Sequence, residues 1–524
     1  MGSLRRGLAA LIGAFAALLL LHAPLLRLPY FWDEAGYYIP ASLDFYHSWQ
    51  LIPQSTLPTG HTPLVPVYLA TVWHAFGFSP LVARSAMLLL AAATLAGLYA
   101  LGCRLTRREV AIWSAVLLGL MPLFFAQGSL AHVDLAAALF TTLAVLFLVE
   151  DRPWMFALAA ALAVLSKETA VVLLLPAWVY IWRRQEAHRR HANLHWVAWA
   201  LPLLPLAAWT IYYHHVTGYW TGNRSYLAYN LYSTLNPARI FWSLLRRLYE
   251  VLIGGFNWLL SAGAVMGVWW GRMQSARQKA SAEALNDELV VRHQPNSTGG
   301  AAHKFLWLVI GLGTIYVLML SAVGGAILPR YLLPVFPVLI LAAVMLLWRL
   351  PRRLARALCL ATAAGFIAGW FINPPYPFPF EDNLGYADFV RLHQEAARIL
   401  EAHPGRPRIL TAWPATEELV RPSLGYVQRP LHVVPLSGFA ADDFRGVRAE
   451  SFELVYLYSR QWNPPTNWMS RFPTWEKLQG QYFDYRPQAP DDALVTRYHL
   501  ELLRQFERRG QWVRIYAKSG RPAT

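Results

Sequence analysis

The chain has 524 residues, of which 56% are hydrophobic, 14% aromatic and only 15% charged, against about a quarter charged in an ordinary soluble domain. That balance excludes a single soluble core and suits a polytopic membrane protein, with room for about ten spans of roughly 20 residues each and an appended domain. The net charge of +16 would suggest nucleic acid in a soluble chain, but here it is first a topology signal; Cys103 and Cys359, far apart in sequence, give neither a disulfide framework nor a metal motif.

In chain order, Arg5 and Arg6 precede an apolar run from about Leu8 to Leu26. No small-residue cleavage site follows it, so it reads as an uncleaved anchor. Further apolar runs fall at about 82–102, 109–126, 132–149, 153–165, 169–182, 195–213, 249–270, 304–322, 328–348 and 354–372, which predicts about 11 membrane segments. The fifth and sixth are short and read as a re-entrant or broken pair. With a cytoplasmic amino terminus, the inner loops collect Arg104, Arg107, Arg108, Arg152, Arg183, Arg184, Arg189, Arg190, Arg272, Arg277, Lys279, Arg292, Lys304, Arg349, Arg352, Arg353 and Arg356. The outer loops hold far fewer, so the charge marks topology rather than a nucleic-acid footprint, and the carboxyl-terminal region falls outside.

Polar residues that hydropathy does not explain gather on that outer side. Asp33 and Glu34 open the first outer loop, 27–80, and His61 lies later in it, in Gly60-His-Thr-Pro-Leu64. His132 and Asp134 start the fourth segment, Lys167 and Glu168 lie between the fifth and sixth, and Arg330 with Tyr331 opens the tenth. Ionisable groups near or within membrane segments are costly and mark a cavity or site. A carboxylate at a partly dehydrated boundary can serve as a general base, and Asp33 is the candidate. A short helix after it puts Asp33 with Tyr37, and Glu34 with Tyr38, on shared faces. Lysine, arginine and histidine facing one volume can hold a phosphate, arginine as a bidentate fork and lysine as a point charge.

Plainer roles compete at each position. Asp33 with Glu34, and Asp134, also suit helix amino termini. His61 also suits a loop carbonyl, Lys167 a local pair with Glu168 or the membrane interface, and Arg330 a span flank.

Together, Trp32-Asp-Glu-Ala-Gly-Tyr-Tyr38, His61-Thr-Pro-Leu64, Asp134, Lys167-Glu168 and Arg330-Tyr-Leu-Leu-Pro334 resemble the integral-membrane C-type glycosyltransferases, in the bacterial branch of protein O-mannosyltransferases, lipid A aminoarabinose transferases and related envelope enzymes. The resemblance covers about residues 1–372. It implies a polytopic α-helical enzyme in the plasma membrane that takes a sugar from a polyprenyl-phosphate donor and passes it, usually with inversion, to an envelope glycan, lipid or protein acceptor on the outer face. No cofactor is implied beyond, at most, a divalent cation. By the same resemblance Asp33 is the acid that deprotonates the acceptor and Glu34 its neighbour in support. Lys167, Arg330 and His61 bind the donor phosphate, and Tyr37, Tyr38, Asp134, Glu168 and Tyr331 line the cavity. His61 stands where aminoarabinose transferases have a Lys-Pro pair, which counts against aminoarabinose as the sugar.

The aromatic stretch Tyr212–Tyr226 reads as an interfacial belt, and the loop from about Gly271 to His303 as a flexible cytoplasmic linker. The acceptor patterns Asn223-Arg-Ser225 and Asn296-Ser-Thr298 carry no weight. Asn373-Pro-Pro-Tyr-Pro-Phe-Pro-Phe380 forbids a helix and marks the boundary to residues 373–524. There a helix over 386–402, strands near 408–413, 432–436, 453–458 and 512–516, a short helix near Thr416 and a helix over 495–508 predict a small extracytoplasmic α/β domain suited to acceptor recognition or scaffolding. Neither GxGxxG nor a Walker pattern is present.

Two readings outside enzymology stay open. A transporter or flippase would show interrupted helices in two related halves, and no internal repeat is visible. A non-catalytic envelope assembly protein would keep the architecture without the base.

Overall fold

The computed structural model describes residues 2–185, 192–284, 297–463, 471–483 and 487–519. Arg189, Arg190, Arg292 and Asn296 lie outside the described residues. Among the described residues, four helical stretches are long and apolar enough to cross a membrane: Pro80–Leu105, Leu194–Thr217, Pro237–Gln278, which is interrupted by a turn, and Ala301–Ala322. Shorter apolar helices, among them Gly7–His22, Val133–Val149, Pro153–Ser166 and Phe336–Leu347, pack beside them. Helix Pro80–Leu105 shows how the sequence sets a start: the Ser79 side chain accepts from Val82 N, and Pro80 occupies the first turn, where its missing N–H costs nothing.

Several sequence-defined segments are broken, each for a local reason. The run 109–126 splits at Met121 into Arg108–Leu120 and Pro122–Gln127, since the residue before a proline leaves helical geometry. The run 249–270 crosses a turn at Gly254–Phe256 in which Gly255 and Phe256 take positive φ of 58° and 68°. Before that turn, helix Pro237–Leu252 has inverted polarity. Arg239, Ser243, Arg247 and Glu250 are buried, while Phe241, Leu245, Leu248 and Leu252 are exposed, the pattern of a helix lying against lipid with its charges turned inward. The predicted flexible linker after Gly271 is corrected in part: Asn257–Ala284 and Ser297–Ala322 extend into it from both sides, and the Ala, Gln, Arg and Lys content of 272–284 favours helix.

The loop 27–80 is more ordered than a connector. After Trp32, at φ 45°, comes one π-helical turn, Glu34–Tyr38, where an α-turn was expected, followed by helices Ile39–Ser48 and Leu64–Phe76.

Past the proline-rich segment, helix Gly385–Ala402 leads into a five-stranded sheet of β1 (Ile409–Ala412), β2 (Val433–Leu436), β3 (Leu454–Tyr458), β4 (Leu500–Arg508) and β5 (Gln511–Lys518) in the order β2-β1-β3-β5-β4. The β2-β1-β3 half is parallel and the β3-β5-β4 half antiparallel. The helix predicted over 495–508 is wrong. A helix spans Asp491–Tyr498 and ends at His499 in left-handed geometry, and the rest is β4. Apolar residues at 500, 502, 503 and 506 mimic a helical stripe. The turn Arg509-Gly510, both at positive φ, decides the matter by closing a two-residue hairpin with Arg508 paired to Gln511.

This sheet domain seats directly on the loop 27–80. Phe31 is fully buried against Tyr386 and Phe389, at ring separations of 5.8 and 5.4 Å. The Tyr426 hydroxyl donates to Tyr30 O at 3.0 Å. Between Glu34 and Tyr38 only glycine fits at position 36, because a Cβ there would lie 2.6 Å from Trp413 Nε1.

Candidate active site

Four stretches of chain meet around Arg330. The short helical turn Pro329–Leu332 presents its guanidinium, which is 2% exposed. Nη2 donates to Asp33 Oδ2 in a short contact. Nη1 donates to Glu381 Oε2 at 2.8 Å and lies 3.2 Å from both ring nitrogens of His132. Nε faces Asp134 Oδ2 at 3.6 Å, too long for a hydrogen bond. His132 Nδ1 is 2.6 Å from Gln127 Oε1, an acceptor, which assigns the proton to Nδ1 and leaves Nε2 to accept from Arg330.

Lys167 completes the cluster. Its Nζ donates to Asp134 Oδ1 at 2.6 Å and stands 3.9 Å over the Tyr331 ring. Tyr331 thereby sits between two cations, with the Arg330 guanidinium 5.5 Å from its centre. Helix geometry explains the convergence. Asp134 is in the first turn of Val133–Val149, Lys167 follows the end of Pro153–Ser166, and Asp33 begins the π-turn, so three span ends point charges at one level.

Three carboxyl groups thus share two cations. Burial pushes the Glu381 carboxyl up to about 8 against the pull of Arg330, and the charges of Asp33, Asp382 and Asp134 add to the rise. A neutral Glu381 near pH 7 balances the cluster at two charges of each sign. Burial first, then Glu250, pushes neighbouring Asp382 up to about 7. Arg330 Nε, Asp134 Oδ2 and Glu381 Oε1 are buried without a hydrogen-bond partner among the described residues. Asp33 is the carboxyl of this cluster that reaches the surface, 18% exposed.

Other expected residues lie at other places. Glu34 is fully buried and points away from Asp33. Its Oε2 accepts from Phe31 N at 2.8 Å and from Arg84 Nη2 at 3.3 Å, and its Oε1 accepts from Ala131 N at 2.7 Å. His61 does not join Arg330 and Lys167. It pairs with Glu168, Nδ1 to Oε2 at 3.0 Å, and lines a narrow cleft of about 30 Å³ with Tyr37, Tyr38 and Trp209. Tyr38 bridges the two zones, its ring 5.7 Å from His132 and 6.4 Å from His61. Among the described residues no group of three or more His, Cys, Asp or Glu side chains could hold a metal ion.

Sequence reading missed Glu381, Arg84 and Arg247. Arg84 carried a signal, a charge inside the apolar run 82–102. Glu381 carried a faint one, an acid directly after Phe378-Pro-Phe380. Arg247, whose Nη1 donates to Glu250 Oε2 at 3.0 Å and to Leu328 O at 2.6 Å, lay two residues before the apolar run it was not counted in. Beside Pro329, a larger cavity of about 240 Å³ is walled by Phe256, Trp258 and Phe336, with Glu250 and Asp382 at its edge.

A multi-pass helical membrane protein with a composite polar centre, roofed by a small sheet domain, is the class this architecture defines. A family model described as dolichyl-phosphate-mannose-protein mannosyltransferase matches residues 60–212. Two solved structures of ArnT from Cupriavidus metallidurans share the fold. One is bound to undecaprenyl phosphate, at TM-score 0.54 and 14% identity, and the other is in the apo state, at 0.53 and 15%. Each alignment covers 96% of this chain and 97% of that one. No curated protein matches the chain by sequence. The chain therefore shares the fold of ArnT over nearly its whole length, and the family model matches within its first half.

Proposed function

We propose that the protein transfers a sugar from a polyprenyl-phosphate donor to an envelope acceptor on the outer face of the plasma membrane, with Asp33 as general base. The observation that carries this reading is the pairing of a partly exposed Asp33 with the buried Arg330 in a cluster that also holds Lys167. The acceptor oxygen attacks the anomeric carbon as its proton passes to Asp33. The bond from that carbon to the phosphate oxygen breaks, and its electron pair leaves on the polyprenyl phosphate. Arg330 and Lys167 stabilise the charge that develops there, the interaction that grows between ground and transition state. Fixing both substrates at the lipid boundary supplies part of the rate by proximity.

The donor phosphate competes with Asp33 for Arg330, and its arrival frees the carboxylate to accept a proton. Supporting this lipid-linked donor are the ArnT structure with undecaprenyl phosphate and the apolar cavity beside Pro329, which suits the first isoprene units. Glu34 acts at one remove, through its bond to Phe31 N, by holding the turn from which Asp33 projects. In this reading the amino terminus is cytoplasmic, and the site and sheet domain face outward. Replacing Asp33 by Asn tests it. Loss of glycosyl transfer with normal membrane insertion supports the base, and transfer at the wild-type rate sinks it.

A further inference from the structure

The outer wall beside Asp33 is aromatic, and both regions of the chain build it. Trp32 meets Trp413 edge to face at 5.2 Å, and Tyr37 tilts against the same indole at 5.6 Å. Trp32, Tyr37 and Trp413 are each half-buried, as is Asp33. Trp32 and Trp413 share in domain docking, Trp32 against Phe389 at 5.4 Å and Trp413 against Gly36, yet both keep part of their surface exposed beside Asp33.

The polar atoms of this wall are uncommitted. The Tyr37 hydroxyl and the Trp413 indole N–H make no hydrogen bond within the described residues, and neither is sealed from solvent. Asp33 commits only Oδ2, to Arg330. The Arg460 guanidinium stands 5.8 Å from the centre of the Trp32 ring, and its buried Nε has no hydrogen-bond partner among the described residues. Burial pushes the Tyr37 phenol up to about 12, with Asp33 and Glu417 adding to the rise, so it keeps its proton and can donate.

We propose that Trp32, Tyr37, Trp413 and Arg460 form the acceptor subsite, and that the acceptor group bound there is a saccharide. A pyranose presents apolar C–H faces that pack on aromatic rings and a rim of hydroxyls that needs fixed donors and acceptors. The wall offers both, within reach of the proposed base. An acyl chain would use the rings and leave the polar atoms unpaired, and an extended peptide would need free backbone partners. The hydroxyl to be glycosylated points at Asp33, while ring oxygens on the far side take the N–H groups of Trp413 and Arg460. The link to catalysis rests on the transfer reading; the binding does not.

Saturation-transfer difference NMR on the full chain in lipid nanodiscs, with cellobiose and methyl glucuronide as probes, tests the subsite. The wild type is expected to saturate the ring protons of at least one probe, and W413A to lower that signal at least fivefold. Because Trp413 also packs on Gly36, Y37F is the second variant; it removes one hydroxyl and is expected to lower the signal about twofold with an unchanged unfolding midpoint. No saturation by either sugar, or signals unchanged in both variants, overturns the subsite. Binding of undecaprenyl phosphate in the same preparation keeps the two readings apart. Sugar binding without lipid binding would break the transfer reading and leave the saccharide subsite standing.

Discussion

Two buried arginines contact the start of the loop 27–80, and their surroundings differ in kind. Arg84 gives Nε to Leu28 O at 3.1 Å, Nη1 to Ser129 O at 3.1 Å, and Nη2 to Pro29 O at 2.6 Å and to Glu34 at 3.3 Å. Glu34 in turn accepts two backbone N–H groups. One cation meets one anion, and main-chain atoms fill the remaining capacity, as a buried pair requires if it is to be structural. Arg330 instead collects three carboxyl groups and a histidine, and leaves its own Nε and one oxygen each of Asp134 and Glu381 unbonded. Buried polar groups are nearly always satisfied, so unsatisfied ones gathered about one charge mark a place built for something besides folding. Burial and charge do not separate the two arginines; the closure of their hydrogen bonding does.

That contrast can be broken by experiment. The largest effect is expected for D33N, which removes the proposed proton acceptor while keeping its shape. Transfer in membranes should fall about 10³-fold, or about 4 kcal/mol in barrier, with unchanged protein level. Next comes R84M on the structural side, which strands a buried Glu34. Unfolding should become easier by about 3–5 kcal/mol, read as a lower thermal midpoint and poor accumulation. If R84M accumulates normally and loses only activity, the division between the two arginines is wrong.

R330K sharpens the comparison further. Lysine keeps the charge but loses the fork that reaches Asp33 and Glu381 together, so transfer should fall about 10²-fold with a much smaller change in thermal midpoint. The smallest effect is a slope. Burial holds the folded Glu381 carboxyl near 8, against 4.5 as its ordinary value, so folding favours the neutral form. The stability this gives is complete below about 4.5 and is lost as pH rises through about 8. Wild-type thermal midpoints should therefore fall across that window, by no more than about 1.4 kcal/mol per pH unit for this group. E381Q should flatten the fall without abolishing it, because Asp382, near 7, has the same sign.

Local signals made much of this molecule legible. Helix Gly385–Ala402 and strands β1, β2, β3 and β5 lie where short apolar runs were bounded by breakers. Asp134, Lys167 and Arg330 stood out because a charge in an apolar segment is conspicuous, and the structure brings them together with Asp33 and Tyr331. Relations across long separations were not legible. Glu34 and Asp33 are neighbours in sequence, yet a single π-turn sends one to Arg84 and the other to Arg330. Glu381 reaches Arg330 only because the sheet domain folds back over the spans, and no periodicity in residues 373–385 encodes that return. The strand β4 was lost to a coincidence of spacing that only its pairing with β5 resolves.

Helix Pro237–Leu252 links an exposed apolar face to the backbone beside Arg330. Its exposed Phe241, Leu245, Leu248 and Leu252 track the lipid boundary, while Arg239 grips the carbonyls of Gly324 and Gly325 and Arg247 grips that of Leu328, two residues before Arg330. A change in membrane thickness is expected to act on the apolar side, and through the arginines on the backbone that aims the guanidinium. On the proposed transfer function, acyl-chain length would then act as a mechanical setting on the site. Transfer rates in nanodiscs of short- and long-chain lipids should differ, and R247M should lessen that difference.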